Sequence, residues 1–323
     1  MGRRSFVGIV TVTFNSGAVL RAFIESVLKQ SHAEFLLYVV DNASADGTLK
    51  VLAEYHDKRI VVIPNQTNVG VARGNNQGIR SALDANCDDV LLINNDTEFD
   101  ADLLKELLDG LDRYHSDVAV PKITHYDNPD TLWYAGGYFN HWKGYRGMHC
   151  GLGENDRGEF DEVRQVQYAP TCCMLVRSEV FESIGVMDEQ YFVYVDDTDF
   201  CFRAMRRGIK IIYLPSARVL HKVSSLTGNE DSKFALRYMT RGHVYFIRKN
   251  FGFWTSACYL TAYQVRLFYK LLSRGIDWDT LLIRQGAFFE GWGLPVPKNP
   301  DGTRIGTGAG ALPARPAVHG DDR

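Results

Sequence analysis

A short polar cluster, Asn94–Thr97, follows an apolar run and contains a carboxylate suited to binding a metal ion. An aspartate at such a place can hold a hard divalent cation, and the cation can in turn hold a diphosphate. Asp96 is therefore a candidate metal ligand. The alternative is structural, because Asp96 or Thr97 could cap a helix that begins near Asp100. The cluster alone does not decide between the two.

A second acidic cluster places Asp196, Asp197 and Asp199 within four residues, between aromatic side chains. Carboxylates crowded in this way can raise the pKa of one member, which prepares it to act as a general base. The structural alternative is an acidic first turn of a helix that reaches Arg207, where the helix dipole favours acids. Asp199 could then pair with Arg203, four residues later.

His221 is a third candidate, and it follows the apolar run Ile211–Leu214 and a predicted turn at Pro215. A lone histidine is more often a satisfied structural residue than a ligand. The polar stretch Lys222–Ser232 could form a flap over a site or an ordinary surface loop.

Alternating strands and helices must position these candidates. We expect helices at roughly 18–30, 47–56, 71–85 and 100–114, between four buried strands, Val7–Phe14, Phe35–Val40, Ile60–Ile63 and Val90–Ile93. This alternation predicts an α/β fold in which a mostly parallel sheet is flanked by helices. Each strand is followed by a cluster rich in Asn and Asp, and ligands bind beyond the carboxyl ends of such strands. The sequence therefore predicts one polar ligand site at this edge, although turn chemistry alone would explain any single cluster.

The rest of the chain is less regular. We expect aromatic and glycine-rich loops at 133–138 and 142–153, a largely helical region at 233–292 and a disordered tail at 298–323.

Bulk composition excludes several classes of protein. The 323 residues are 45% hydrophobic and 23% charged, as expected of a globular protein. The net charge of −3 gives no electrostatic footprint for nucleic acid. Six scattered cysteines form no zinc motif, and we see neither a signal peptide nor a membrane span, so we expect a cytoplasmic protein.

Seven stretches occur in a characteristic order over roughly residues 6–225: Val10–Asn15, Val40–Thr48, Asn68–Gly78, Leu92–Thr97, Gly185–Phe192, Asp196–Arg203 and His221. In these stretches the sequence resembles glycosyltransferase family 2, of the Rossmann-like GT-A fold, and is most similar to bacterial rhamnosyltransferase-type members. The resemblance implies a metal-dependent enzyme that transfers a sugar from a nucleotide diphosphate to an acceptor hydroxyl and inverts the anomeric carbon. It favours dTDP-rhamnose as donor and leaves uridine-diphosphate hexoses open.

The resemblance also implies roles for individual residues. Asp197 would be the catalytic base, and Asp96 would bind Mg²⁺ or Mn²⁺ with His221 as a further ligand or diphosphate contact. Trp133, Asp196 and Asp199 are candidate acceptor-binding residues. The donor would be bound by Thr11, Phe14, Asn15, Asp41, Asn42, Asn68, Gly70, Arg73, Asn76 and Asn95.

Two positions depart from the family pattern, since Asn94 stands where the metal motif has its first aspartate and Asp196 where the catalytic pair has a glutamate. The family's Gln-x-x-Arg-Trp element of processive synthases is missing, which favours transfer of single sugars in cell-envelope polysaccharide synthesis. The resemblance implies a GT-A catalytic domain at 1–232, with a nucleotide-binding half at 1–117 and an acceptor half at 118–232, and then a helical extension at 233–297.

The expected partners are a nucleotide-sugar and a saccharide or lipid-linked saccharide acceptor, without nucleic acid. The extension mixes aromatic with basic residues, which would suit the inner face of an anionic membrane, a homodimer partner or packing against the catalytic domain. Two rival functions remain open. One is a non-catalytic protein that binds sugar nucleotides or a partner on the same scaffold. The other, an NAD-dependent oxidoreductase, is disfavoured because Thr13–Ala18 lacks the Gly-x-Gly-x-x-Gly turn.

Overall fold

The computed structural model describes residues 5–223 and 232–297. The predicted tail at 298–323, and the flap apart from Lys222, Val223 and Ser232, lie outside the described residues. The strands are β1 (Val7–Thr13), β2 (Phe35–Asp41), β3 (Ile60–Pro64), β4 (Asp89–Ile93), β5 (Thr97–Phe99), β6 (Val118–His125), β7 (Leu132–Tyr134), β8 (Gly137–Asn140), β9 (Arg146–His149), β10 (Arg164–Val166), β11 (Cys173–Arg177) and β12 (Ile211–His221). The helices are α1 (Leu20–Leu28), α2 (Thr48–Ala53), α3 (Val71–Asp84), α4 (Leu103–Arg113), α5 (Ser178–Ile184), α6 (Asp196–Arg206), α7 (Lys233–Asn250), α8 (Phe253–Leu272) and α9 (Trp278–Gly293).

One large mixed sheet forms the centre of the fold. Its strand order is β10-β12-β6-β11-β4-β1-β2-β3, with β5 paired to β12 and β7 paired to β6. Strands β4, β1, β2 and β3 run parallel, and β6 runs parallel to β12, while β11 is antiparallel to both of its neighbours. The predicted α/β architecture with a mostly parallel sheet and flanking helices is confirmed.

The four predicted strands and helices of the first half are all present. The buried apolar faces of β1, β2 and β4 explain the runs in the sequence, since helices cover both sides of a parallel sheet. Helix α3 lies directly on β1 because it presents glycines there. A Cβ on Gly78 would come within 2.3 Å of a Val10 methyl carbon. The close approach fixes the start of α3 beside the carboxyl ends of β1 and β2.

Two local predictions for the second half are wrong. The stretches expected as aromatic loops form β7 and the β8–β9 hairpin, because their aromatic side chains alternate between buried and partly exposed positions. Pro215 does not end a strand in a turn, since β12 runs through it to His221. The register shifts between Leu214 and Arg218, so a bulge accommodates the proline, which has no N–H to donate.

Helix α7 packs into the same hydrophobic core as the sheet. Val244, Tyr245, Phe246 and Ile247 are all at most 1% exposed. The expected division at residue 232 stays a prediction, but the first helix of the extension is continuous with the core before it. Within the described residues, no helix combines the length and the apolar character that crossing a bilayer requires.

Candidate active site

The carboxyl ends of β1 and β2 form the first side of the site. Asp41 accepts hydrogen bonds from the hydroxyls of Thr13 (2.9 Å) and Ser44 (2.6 Å) and from the backbone N–H of Ser44 (3.0 Å). Asn15 sits on the same loop pair, where its side chain accepts from the backbone of Ala45. These bonds hold two predicted donor-binding residues on one rigid rim.

Two other predicted donor-binding residues lie differently on β1 and its loop. Phe14 is 43% exposed at the rim, free to contact a flat ring. Thr11 lies inside β1, two residues before Thr13 at the end of the strand. It is fully buried, and its hydroxyl has no hydrogen-bond partner within the described part of the chain. Thr11 therefore lies beneath the rim in this structure.

The turn before α3 joins this rim to the second half of the protein. Gly70 has a positive φ of 86°, and a Cβ there would lie 2.4 Å from the carbonyl oxygen of Phe192. The same carbonyl accepts the N–H of Val71 at 2.6 Å. Asn42 donates to the Gly70 carbonyl (3.1 Å), and Asn68 accepts from the Gly70 N–H (3.0 Å). Only glycine fits this left-handed turn without displacing Phe192.

Two residues expected to bind the donor have other contacts. Asn76 is fully buried. Its side-chain amide donates to the Met187 carbonyl (2.9 Å) and to the Glu189 carboxylate (3.0 Å), and its side-chain oxygen accepts from the Met187 backbone N–H (2.9 Å). These contacts hold α3 against the segment before α6, so the buried Asn76 side chain has a structural role and does not face the donor site as expected. Arg73 is exposed and lies 3.7 Å from Glu189, at the surface of the same helix.

The candidate metal ligands meet where the turn between β4 and β5 lies against the end of β12. Nε2 of His221 lies 3.4 Å from Oδ1 of Asp96, and the backbone N–H of Lys222 donates to the Asp96 carbonyl (2.8 Å). Asn95 points back toward β1 and donates to the Val12 carbonyl. The helix-cap interpretation of this cluster is wrong, since Thr97 begins β5 and α4 starts six residues later. Among the described residues, no three His, Cys, Asp or Glu side chains gather as a metal site.

Aromatic rings surround His221. Trp133 on β7 contacts the His221 ring edge to face at 4.5 Å between centroids, and contacts His149 in the same way at 4.6 Å. Burial lowers the pKa of His149 to about 4, so this ring is neutral. A cavity of about 240 Å³ opens on the other side of His221, lined also by His125, Tyr126, Asp127, Asn128, Thr131 and Val223.

The second acidic cluster opens α6, as its structural interpretation predicted. Tyr194 and Val195, just before the helix, both have positive φ (62° and 66°). A β-branched residue in this region is strained, and such strain persists only where the surroundings hold it. Val195 is held against Gly242 of α7, where a Cβ would lie 3.0 Å from a valine methyl. The strained turn presents Asp196 and Asp197 together at the helix start.

Asp199 forms buried ion pairs and hydrogen bonds that join α6 to α7. It is fully buried and accepts from Arg203 Nε (2.8 Å), Lys249 Nζ (2.8 Å) and Asn250 (3.1 Å). Burial alone would raise the pKa of Asp199, but the two cations outweigh it and hold the pKa well below its usual range. An acceptor sugar has no access to this carboxylate, so the expectation that Asp199 contacts acceptor is corrected. The predicted Asp199–Arg203 pair is present.

Asp196 and Asp197 differ in their hydrogen bonds. Asp196 is 3% exposed, and its Oδ2 has no partner among the described residues. Burial, and next the charge of Asp197, raise its pKa to about 7. Burial also raises the pKa of Asp197, but the Tyr168 hydroxyl (2.8 Å) and the Thr198 N–H (2.6 Å) donate to this carboxylate and oppose the rise. The negative charge of the pair is therefore best stabilised on Asp197, which is also the more exposed of the two.

A continuous chain of contacts joins the two acidic clusters. Tyr168 bonds Asp197 and stacks on His149 at 5.7 Å, His149 contacts Trp133, and Trp133 contacts His221 beside Asp96. This chain of contacts joins Asp96, after β4, to Asp197, at the start of α6. Tyr168 and His149 were not predicted as site residues, since neither belongs to a motif or to a periodic pattern in the sequence.

The chain is similar in sequence to a known protein family and to several of its members. The family model described as Glycosyl transferase family 2 matches residues 8–185. The chain is 26% identical over 266 residues to an N-acetylglucosaminyl-diphospho-decaprenol L-rhamnosyltransferase of Mycobacterium tuberculosis, covering 76% of this chain and 85% of the relative. It is 24% identical to the dTDP-rhamnosyl transferase RfbF of Shigella flexneri, covering 75% and 79% respectively.

A solved structure shares the fold at low identity. The crystal structure of GalNAc-T7 with UDP, GalNAc and Mn²⁺ superposes with a TM-score of 0.61 at 16% identity. The match covers 76% of this chain and 48% of that one.

Proposed function

Since the chain belongs to glycosyl transferase family 2, and is thus a glycosyltransferase, we propose that it transfers single rhamnose residues from dTDP-rhamnose to an acceptor hydroxyl. Two relatives support this donor, because both are rhamnosyltransferases by name. We further propose that the product is a cell-envelope polysaccharide and that the enzyme works at the cytoplasmic side of the membrane. Membership in this enzyme family removes the oxidoreductase alternative and favours catalysis over binding alone.

The observation that carries the proposal is the Asp197 carboxylate, which accepts hydrogen bonds from Tyr168 and Thr198 and is joined by a path of contacts to Asp96 and His221. A transferase of this kind needs a base for the acceptor hydroxyl and charge stabilisation for the leaving diphosphate. Asp197 is partly exposed and accepts from Tyr168 and Thr198, so it can hold a charge and receive a proton. A protein that only binds sugar nucleotides has no use for such a base.

The proposed reaction is a single displacement. Asp197 takes the proton from the acceptor hydroxyl while that oxygen attacks the anomeric carbon from the face opposite the nucleotide. The bond between the anomeric carbon and the diphosphate oxygen breaks, the nucleoside diphosphate leaves with the electron pair, and the anomeric carbon is inverted. Burial and the Asp197 charge raise the pKa of Asp196 to about 7, which favours placing the negative charge of the pair on Asp197.

The donor is proposed to lie along the rim at the ends of β1 and β2. Phe14 would contact the nucleobase of the donor, while Asp41, Asn42 and Asn15 would line the pocket for its ribose. Further donor contacts come from the turn at Gly70 and from three neighbouring side chains: Asn68, Arg73 and Asn95.

Asp96 and His221 fit a divalent cation. Their side chains lie 3.4 Å apart, and Nδ1 of His221 is buried without a hydrogen-bond partner in the described chain. Magnesium is commonly held by one or two protein groups together with substrate phosphates and water, so two protein ligands suffice. When bound, Mg²⁺ or Mn²⁺ would neutralise charge that develops on the leaving diphosphate.

The acceptor is proposed to be a saccharide or a lipid-linked saccharide that approaches between Asp197 and Trp133. The Mycobacterium tuberculosis relative is named for a diphospho-decaprenol acceptor, which supports a lipid-linked substrate. Trp133 is partly exposed beside His221, where its ring can contact a sugar.

Release of nucleoside diphosphate from a panel of nucleotide-sugars tests the proposal. Each donor is incubated with and without Mg²⁺ or Mn²⁺, with a lipid-linked N-acetylglucosamine acceptor, and NMR of the product reports the anomeric configuration. We expect metal-dependent turnover of dTDP-rhamnose that falls at least about 1,000-fold in Asp197→Asn, since the base is lost. Asp109→Asn, an exposed aspartate on α4, is the matched control and should retain activity.

Other outcomes separate the alternatives. Turnover of a uridine-diphosphate hexose alone would replace the donor. Equal donor binding by the wild type and Asp197→Asn, without turnover of any donor, would favour a binding protein. Full activity in Asp197→Asn would remove the proposed base.

A further inference from the structure

Helix α8 carries large apolar side chains on its outer face as well as its inner face. Its inner face buries Leu260 and Leu267 against the rest of the protein. Trp254 and Leu272, near its two ends, are 79% and 83% exposed. The outer stripe of α8 comprises Trp254, Cys258, Val265, Phe268, Tyr269 and Leu272. These positions fall within about 100° of one another around the helix axis and so share one face over about 27 Å.

Helix α9 repeats this arrangement. Leu281 and Ala287 are buried, while an outer stripe at the same helical spacing comprises Trp278, Leu282, Phe289 and Trp292. The two helices are joined by reciprocal side-chain hydrogen bonds between Gln264 and Gln285 (2.7 and 3.3 Å). Single exposed hydrophobic residues are normal, but two adjoining stripes of this size mark an interaction surface.

The charge around the α8 stripe has one sign. From Phe253 to Ile276 the chain contains three cationic residues, Arg266, Lys270 and Arg274, and no acidic residue. The basic residues of α7 are used differently, since Lys249 pairs with buried Asp199. The segment Phe253–Ile276 is therefore positively charged and would attract an anionic partner.

The stripe adjoins the catalytic half of the protein. Arg266 donates to the backbone carbonyl of Trp142 (3.2 Å), and the Trp142 side chain is 79% exposed. Trp142 lies in the turn of the β8–β9 hairpin, whose Gly147 packs on the ring of Tyr168. Tyr168 in turn donates to Asp197, so the apolar surface leads by direct contacts to the proposed base.

We propose that the outer faces of α8 and α9 dock the enzyme on the surface of an anionic lipid bilayer. Tryptophan and tyrosine favour the boundary between headgroups and acyl chains, and cations beside them attract acidic headgroups. A second copy of the chain is a poorer occupant of the α8 stripe, because face-to-face pairing of two Phe253–Ile276 segments would bring six cations together without an acidic residue in either segment. Docking deepens the proposed function, since it would hold Asp197 near a lipid-linked acceptor.

Co-sedimentation of the full chain with vesicles tests docking directly. Vesicles of phosphatidylcholine alone are compared with vesicles that contain 30 mol% phosphatidylglycerol, at low and high salt. We expect binding to the anionic vesicles that weakens at least tenfold without phosphatidylglycerol or at high salt. No binding of the wild type to either vesicle would overturn the proposal.

Exposed substitutions locate the surface. Leu272→Glu and Val265→Glu should each reduce anionic vesicle binding at least tenfold, while Leu49→Glu on α2, 44% exposed in the wild type, should leave it unchanged. Lys270→Gln together with Arg274→Gln should cost about 10- to 30-fold, as two surface cations are removed. Vesicle binding that is equal in the α8 variants and the wild type would overturn the assignment.

Sedimentation velocity without lipid distinguishes the rival occupant. A wild-type dimer that Leu272→Glu converts to monomer would assign the stripe to a second copy and overturn lipid docking. Transfer to a short-chain, water-soluble acceptor separates this inference from the proposed function. The rate of this transfer should be the same in the α8 variants and the wild type. If the wild type transferred no sugar to this acceptor, the proposed function would be contradicted, whatever the result for vesicle binding.

Discussion

The hydrogen bond from Tyr168 to Asp197 should set the pH range in which the enzyme works. Tyr168 is buried, and burial followed by the neighbouring Asp197 charge raises the pKa of its hydroxyl far above the ordinary value, so it acts as a donor. Tyr168→Phe removes this donor and keeps the ring that stacks on His149. The Asp197 carboxylate then still accepts hydrogen bonds from the N–H and hydroxyl of Thr198.

The sign and size of the effect follow from that loss. A donor stabilises the ionised form, so removing it raises the pKa of Asp197 beyond the rise that burial already causes. The base must be ionised to accept a proton, and the acid limb of the pH–rate profile therefore moves to higher pH. A hydrogen bond to a charged group contributes about 1.5–3 kcal/mol, which corresponds to roughly a 10- to 100-fold loss of kcat/KM below the limb. Above the limb the carboxylate is ionised in both proteins, and the rates should converge.

Steady-state transfer measured between pH 5 and 9 checks this prediction. Tyr134→Phe is the matched control, because its buried hydroxyl bonds the Tyr168 carbonyl (2.8 Å) rather than a carboxylate. It should lower stability without moving the limb. The limb reports the Asp196–Asp197 pair as a unit, since the two acids interact. A uniform fall in rate at every pH, with the limb in place, would refute the reasoning and leave Tyr168 a purely structural residue.

Two further substitutions test how the site is held. Lys249→Met removes the cation shared by buried Asp199 and partly exposed Asp188, so the free energy of unfolding measured in urea should fall by about 3–5 kcal/mol. Gly70→Ala places a methyl 2.4 Å from the Phe192 carbonyl at a positive φ, and should lower stability by more than about 1 kcal/mol and weaken donor binding measured by calorimetry.

Matched controls accompany both variants. Lys233→Met removes a lysine whose ammonium lies 3.9 Å from Asp279, with both side chains exposed, and should change stability by less than about 0.5 kcal/mol. Gly47→Ala adds a methyl that meets no atom within 4 Å and should be tolerated. Wild-type stability in Lys249→Met, or unchanged donor affinity in Gly70→Ala, would contradict these accounts.

The sequence by itself determined the first half of the fold and the edge at which the site lies. Apolar runs such as Phe35–Val40 and Val90–Ile93 have the length and β-branched content of buried strands, and the polar clusters that follow them mark the carboxyl ends. In a parallel sheet those ends meet at one edge because the strands share a direction. Local patterns thus predicted that Asp41 and Asp96 would lie at one edge.

Only the tertiary structure decided what each acid in Asp196–Asp199 does. The cluster looks alike along the chain, but Asp199 faces Lys249, fifty residues away, whereas Asp197 faces Tyr168, twenty-nine residues before it. The passage of β12 through Pro215 likewise depends on pairing with a distant strand, β6, rather than on local propensity. Sequence periodicity reports which residues are buried, but the free energy of a buried charge depends on what lies opposite it. That partner is fixed only when the chain packs.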